Sequence, residues 1–272
     1  MKRFDHEIAV GATEALSLRV SVATLVRVLF VDPHTGQTML ALERTATLRK
    51  NNGQSEIAVK AKPFGGAVQI IDPVELRNLI GNFQYDSERS RQEKDFRIQI
   101  HPSSWEKVKE ICREHLEGKK PAILDASPER ELAEEFEDTL KVKITRDQYQ
   151  LKQLGIRIED TPRETDNVRA DGRLTARVYY IFEARIDNPE IIALMVANAL
   201  RYTDEDLRKI AREDAHQGGK GRANALLTMG MDDLKQMRGA AGLDKHSESI
   251  HIAGHQLSGN VVAILEEDEF SG

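Results

Sequence analysis

Four carboxylates crowd one short stretch of this chain. Residues 127–136 read Ser-Pro-Glu-Arg-Glu-Leu-Ala-Glu-Glu-Phe. Ser127 suits a helix N-cap and Pro128 the first helical position. Leu132 and Phe136, four apart, form the apolar stripe. On that register Glu131, Glu134 and Glu135 are neighbours at i, i+3 and i+4. Like charges so placed cost a helix roughly 0.2–0.5 kcal/mol per pair, and the helix dipole relieves only the first turn. A hard divalent cation, Mg2+ or Mn2+, offsets the repulsion, because it takes carboxylate, carbonyl and water oxygens. The plain alternative is a solvated charged face.

A second feature lies upstream. Ile57, Val59 and Ala61 alternate with Ala58, Lys60 and Lys62, the period of a half-buried strand. That strand runs into Lys62-Pro63-Phe64-Gly65-Gly66, and glycines at its end let the backbone approach a ligand closely. Lys60 and Lys62 share one face and suit an anionic substrate held at the acidic helix; Arg44 and Arg49 are weaker candidates of the same kind. A solvated strand edge is the alternative for these cations.

Taken together, Gly65-Gly66 and Arg130-Glu131-Leu132-Ala133-Glu134-Glu135 resemble the box of the Nudix hydrolases, G-x5-E-x7-R-E-U-x-E-E-x-G-U, with U aliphatic. The resemblance implies an α/β fold, a Nudix-like α/β/α sandwich with a mixed sheet. It implies a metal site of Glu131, Glu134, Glu135 and a carbonyl of Gly65 or Gly66, loaded with Mg2+ (or Mn2+). Glu131 and Glu135 become the catalytic carboxylates, Arg130 orients the acids through ion pairs, and Lys60, Lys62 and Arg44 become substrate-binding residues. The implied reaction is hydrolysis of a diphosphate bond in a nucleoside-diphosphate-linked substrate.

The chain departs from that box in three places. Residues 67–129 separate the glycines from Arg130, so the box is split by an insertion. The acid at the x5 position survives only as Asp72, and Asp72-Pro73-Val74-Glu75 reads better as a helix capping box. No glycine follows the Glu pair, since Phe136 leads to Glu137 and Asp138. These departures favour the other expectation, a Nudix-fold module that senses a nucleotide or binds a protein without turnover. An unrelated α+β interaction protein with an accidental acidic helix is a third.

The elements that must position these residues can be read in order. The expected organisation is a Nudix-like domain over 1–200, with 67–126 inserted in it, and a mainly helical extension over 201–272. Strands are expected over 16–31 and 37–44, with turns at Asp32–Gly36 and Lys50–Gly53. Within the insertion a helix runs from Asp72 through Ile80, residues 84–94 form a polar loop, and Asp95–His101 is a strand. Ser103 caps a helix carrying Trp105, Val108, Ile111, Cys112 and Leu116. Strands are expected near Lys141–Ile144 and Gly155–Ile158, a polar loop over 159–173, then a strand over Leu174–Ile186 and a helix over Pro189–Leu200. Thr203 caps a helix to about Ala215, a second helix spans about Ala223 to Met237, and Ile250–Ile252 and Asn260–Leu265 close the chain as strands.

The 272 residues are 40% hydrophobic and 31% charged, which suits a globular protein with a proper core. A net charge of −6 argues against broad nucleic-acid binding. No apolar run reaches a membrane span, and the first residues lack the apolar stretch of a signal peptide, so no membrane partner and a cytoplasmic location are expected. The single cysteine, Cys112, excludes an internal disulfide framework. The apolar helices of the insertion and tail point to a homodimer. Gln217-Gly-Gly-Lys-Gly-Arg222 reads as a connector more than an anion-binding loop, and His246, His251 and His255 as surface residues more than a zinc site. Glu183, at the end of a late strand, is a reserve candidate for a general base.

Overall fold

The computed structural model describes residues 16–51, 54–118, 123–164, 172–234 and 249–265. The fold is mixed α/β with a large, mostly antiparallel sheet. The chain divides into two compact units: residues 1–23, 67–126 and 158–179 form the first, and residues 24–66, 127–157 and 180–272 the second. The divisions fall inside strands β1 (Leu18–Val31), β9 (Tyr149–Arg163) and β10 (Leu174–Ile186).

The second unit is organised around β2 (Thr38–Asn51). A turn closed by Asp32 N donating to Gln37 O at 2.9 Å returns the chain from β1, and Val28↔Ala41 to Val31↔Thr38 pair. Further on, the same edge of β2 pairs with β3 (Gln54–Lys62), from Glu43↔Lys62 to Asn51↔Gln54. Its other edge carries β11 (Arg222–Gly230), from Met39↔Gly230 to Thr47↔Arg222. Beyond β3 lies a hairpin of β12 (Ser249–Ile252) and β13 (His255–Ser258), with β13 parallel to β3.

Strand alternation sends successive residues to opposite faces. On one face Val26, Val28, Phe30, Ala41 and Leu226 pack with Leu132 and Phe136 of α4 (Pro128–Leu140) and with Ile191 and Met195 of α5 (Pro189–Arg201). On the other, Ala46, Val59, Ala223 and Ala225 pack with Leu207 and Ala211 of α6 (Asp204–His216). Helices therefore cover both faces of these strands, which is why β11 is apolar on both. The stretch from Ala223 expected as a helix is this strand. Leu226 and Leu227, adjacent in sequence, serve opposite faces, and period alone does not separate such a run from a buried helix. The tail is therefore mixed rather than mainly helical. Asn260–Leu265, expected as a strand from its Val-Val and Ile-Leu pairs, is a short helix, α7, buried on all sides. Residues 141–144 form no strand.

The first unit pairs the start of β1 with β7 (Arg97–Ile100), Leu18↔Ile100 through Ser21↔Arg97. β4 (Phe64–Ala67) ends at its border, and short strands β5 (Gln69–Ile70) and β8 (Leu124–Asp125) pair with each other. Helix α1 (Pro73–Ile80) is capped by Asp72, whose Oδ1 accepts from Val74 N at 3.0 Å and Glu75 N at 2.9 Å. The stretch over 84–94, expected as a loop, instead ends strand β6 (Phe83–Tyr85) and forms helix α2 (Glu88–Glu93). Ser87 caps that helix, Arg91–Glu88 and Arg89–Glu93 ion pairs staple it, and Asp86 before it is held by buried Arg19 at 2.7 Å. α3 (Trp105–Leu116) buries Trp105, Val108, Ile111 and Cys112 as its pattern predicts. The expected cap at Ser103 is absent: Ser103 lies in a 3-10 turn with its Oγ 2.6 Å from His101 Nδ1, and Ser104, which takes the cap position, donates its Oγ to Ile80 O at 2.6 Å. β9 continues as strand through Arg163, into the stretch expected as a polar loop. No helix among the described residues is long and apolar enough to cross a membrane.

Candidate functional site

The site belongs to the second unit and is built on α4. Ser127 Oγ accepts from Arg130 N at 3.2 Å, Pro128 takes the first turn, and Lys141 in the left-handed region ends the helix. The fully buried rings of Phe64 and Phe136 meet at 5.3 Å between centroids. Phe64 immediately precedes the glycine pair, so this contact carries the end of β3 and β4 onto α4. Gly65 has φ +135°, and a Cβ there would lie 2.1 Å from Thr24 O. A Cβ on Gly66 would lie 2.2 Å from Glu131 Oε2. Gly66 thus leaves the space that the Glu131 carboxylate fills, and Gly65 lets the backbone pass Thr24.

Each acid of the helix meets a different environment. Glu131 is 5% exposed and its Oε1 holds Arg130 Nη2 at 2.8 Å. Burial raises its pKa to about 7; Arg130 opposes the rise and Glu134 adds to it. Glu134 turns outward, with a side chain 61% exposed and only a 3.5 Å contact to Arg130. Glu135 is mostly buried and its Oε1 takes Lys62 Nζ at 3.2 Å. Its Oε2 is buried with no hydrogen-bond partner among the described residues.

Lys62 also reaches Glu43, whose Oε2 lies 2.6 Å from Nζ, while Glu43 Oε1 accepts from Arg222 Nη2 at 2.8 Å. Glu43 is fully buried. Burial alone would push its pKa up, but the Lys62 ammonium, a hydrogen bond with Glu135 and the Arg222 guanidinium together outweigh that and hold it well below the usual carboxylate range. Burial pushes Glu135 up, against the pull of Lys62, and the Glu43 carboxylate beside it adds to the rise. Of two adjacent carboxylates, the one with two cations is the easier to ionise and the other the easier to protonate.

Strand parity explains which predicted residues meet. Lys62 pairs across β2–β3 with Glu43, and Lys60 with Thr45, so both lysines lie on the α4 side. Arg44, one residue on, faces α6: its guanidinium donates to Asp204 Oδ1 at 3.2 Å and to the Tyr202 carbonyl. Arg44 therefore stands apart from the acids and ties α6 to the sheet. Glu183 is held by Arg27 at 2.6 Å and by Arg185 at 3.5 Å, a structural pair rather than an open base. His251 and His255 lie on the β12–β13 hairpin, and His246 falls outside the described residues.

Glu43 and Arg222 belong to the network although no motif marks them. The signal for Glu43 was a carboxylate alternating with Ala41 in an apolar strand; Arg222 lay hidden in the glycine-rich connector. In that connector the anion is internal. Asp214 Oδ2 accepts from Gly221 N at 2.8 Å and Arg222 N at 3.3 Å.

A divalent ion was the expected companion of these acids. Among the described residues no group of three or more His, Cys, Asp and Glu side chains is disposed to hold a metal ion. Glu131 and Glu135 carry oxygen donors of the kind a hard ion takes, and Glu135 Oε2 has no hydrogen-bond donor on it among the described residues, while Glu134 turns away. No family model matches the chain, and neither does a curated protein or a solved structure.

Proposed function

We propose that the second unit is a Nudix-like hydrolase, an α/β/α sandwich that cleaves a diphosphate bond in a nucleoside-diphosphate-linked substrate with Mg2+ or Mn2+. The observation that carries this reading is the seating of Glu131 against Gly66, the two halves of the split box brought together despite the residues between them. The ion, when bound, would polarise the phosphoryl oxygens and lower the pKa of its water. Glu131, Glu135 and the Gly66 carbonyl would hold it. Glu131, seated against Gly66, would also be the candidate to accept a proton from an attacking water. Arg130 orients that carboxylate. Lys60 and Lys62 put positive charge on the same face for the diphosphate.

A panel of nucleoside-diphosphate-linked compounds with either metal, read by product release, tests the reading. Glu131→Gln and Glu135→Gln should lower the rate at least about a hundredfold. Two observations favour the second reading, a nucleotide-sensing or protein-binding module without turnover: the Lys62 ammonium touches both Glu43 and Glu135, and Asp72 caps α1. Nucleotide binding with no turnover of any panel member by either metal would establish that alternative.

A further inference from the structure

Residues 191–200 read Ile-Ile-Ala-Leu-Met-Val-Ala-Asn-Ala-Leu, a run without a charge that makes up most of helix α5. A helix packed on one side of a sheet needs an apolar stripe on one face only. α5 already has that stripe: Ile191 and Met195 are buried in the core, and Ile192, Val196 and Ala199 pack against it. Asn198, the single polar residue of the run, is engaged on the strand below, its Oδ1 accepting from Leu226 N at 2.8 Å. The outer face is left with Ala193, Leu194, Ala197 and Leu200, all exposed, Leu194 to 44% and Leu200 to 82%. Helices α4 and α6 are as long as α5, yet their exposed positions are mainly charged, among them Glu134, Glu137 and Asp138 on α4 and Glu205, Lys209 and Arg212 on α6. One acid and one base bracket the apolar strip. Glu190 stands in the first turn and Arg201 in the last. Their separation is close to three full turns, so they share this face, about 16–17 Å apart along the axis. Both are exposed, and neither makes an ion pair among the described residues; the Arg201 guanidinium lies over the ring of its neighbour Tyr202 at 5.1 Å.

We propose that this face of α5 is where a second copy of the chain docks, the two α5 helices lying antiparallel about a two-fold axis. An exposed apolar strip rimmed by polar groups marks an interaction site, and the order of the charges selects its occupant. Turned end for end, the helix presents its own complement. Glu190 meets Arg201 of the second copy, and Arg201 meets Glu190 of the second copy. A parallel pair would set like charges side by side. The same rotation brings Leu194 level with Ala197 of the second copy, in both directions, a large side chain against a small one. A two-fold interface requires a patch that fits itself in this way. The antiparallel arrangement also places the positive end of each helix dipole beside the negative end of the other. The inference is independent of the chemistry proposed for the acids of α4.

The test is light scattering of the full-length protein at micromolar concentration, with cooperative thermal unfolding as the check that each variant is folded. Wild type should give twice the 30.6 kDa chain mass, and Leu194→Glu, which puts a charge at the centre of the strip, the chain mass alone. Glu190→Arg sets guanidinium against guanidinium across the axis, and Arg201→Glu sets carboxylate against carboxylate. Either change loses two ion pairs and gains two repulsions, so each variant should self-associate at least about tenfold more weakly. Mixed together, the two variants should form a dimer, because every pair across the axis is again of opposite charge. Both positions are on the surface, so the charge variants keep the test decisive if Leu194→Glu fails to fold. Wild type at the chain mass overturns the proposal. So does a dimer that Leu194→Glu leaves intact, or a pair of charge variants that associate no better mixed than alone.

Discussion

Gly65 and Gly66 are adjacent, yet their lack of a side chain serves different neighbours. Gly65 combines a positive φ with backbone contact to Thr24, so neither partner can yield. Gly65→Ala should cost about 2–5 kcal/mol in denaturant unfolding, backbone strain adding to overpacking. Gly66 meets the tip of a side chain, which can move. Gly66→Ala should cost only about 1 kcal/mol while displacing Glu131, so that hydrolysis falls about as far as in Glu131→Gln. Equal loss of stability in the two variants would contradict this division. Glu131 also sets a pH dependence in the metal-free protein. Its pKa rises from the ordinary 4.5 to about 7 on folding, so the folded state holds a proton that the unfolded chain has lost. The resulting stabilisation is full below about 4.5 and vanishes as pH rises through about 7. Urea unfolding in chelator should show stability falling from pH 5 to pH 8. Glu131→Gln should flatten that fall by on the order of 2–3 kcal/mol, without abolishing it, because Glu135 titrates in the same direction.

At the scale of elements, the loop after α6 makes the sharpest case. Asp214, in the last turn, supplies the acceptor for two backbone N–H groups, one of them on buried Gly221. Asp214→Ala should cost about 1–2 kcal/mol in chemical denaturation, and Asp214→Asn less, since an amide oxygen still accepts. A null effect of the alanine variant would mean that the loop finds other partners. What could be read in advance follows the same logic of local against distant causes. Helices α4, α5 and α6 announce themselves through Ser127-Pro128, Asn188-Pro189 and Thr203, because caps are local chemistry. The meeting of Gly66 with Glu131 was legible through the box motif. β11 was not legible, because burial on both faces erases the alternation that identifies a strand. Nor was the role of Glu43, Arg44 or Arg222, since only the pairing of β2 with β3 and β11 decides which face each of them serves.

At the scale of the whole molecule, the apolar side chains that suggested a dimer are already covered. Trp105, Val108 and Ile111 are buried, as are Leu226, Leu227, Met231 and Leu234, all within a single chain. Light scattering at micromolar concentration tests the homodimer directly: the 30.6 kDa chain mass would overturn it and twice that value would support it. A mass of twice the chain would point to another surface, such as that around Leu200, which is 82% exposed.

The position of Glu43 next to Arg44 has a consequence for how this chain tolerates changes in length. One residue faces α4 and the acidic site; the next anchors α6 on the opposite side. A single residue inserted between Met39 and Ala41 would turn every later side chain of β2 over. It would carry a carboxylate toward Asp204 and a guanidinium toward Lys62. Both errors would arise at once, and no single substitution would correct them. The same insertion in the exposed turn at Asp32–Gln37 would leave both faces as they are. Length variation should therefore be confined to the ends of β2. An alanine inserted after Leu40 should abolish folding, as read by loss of cooperative unfolding, while one inserted after His34 should leave a folded protein.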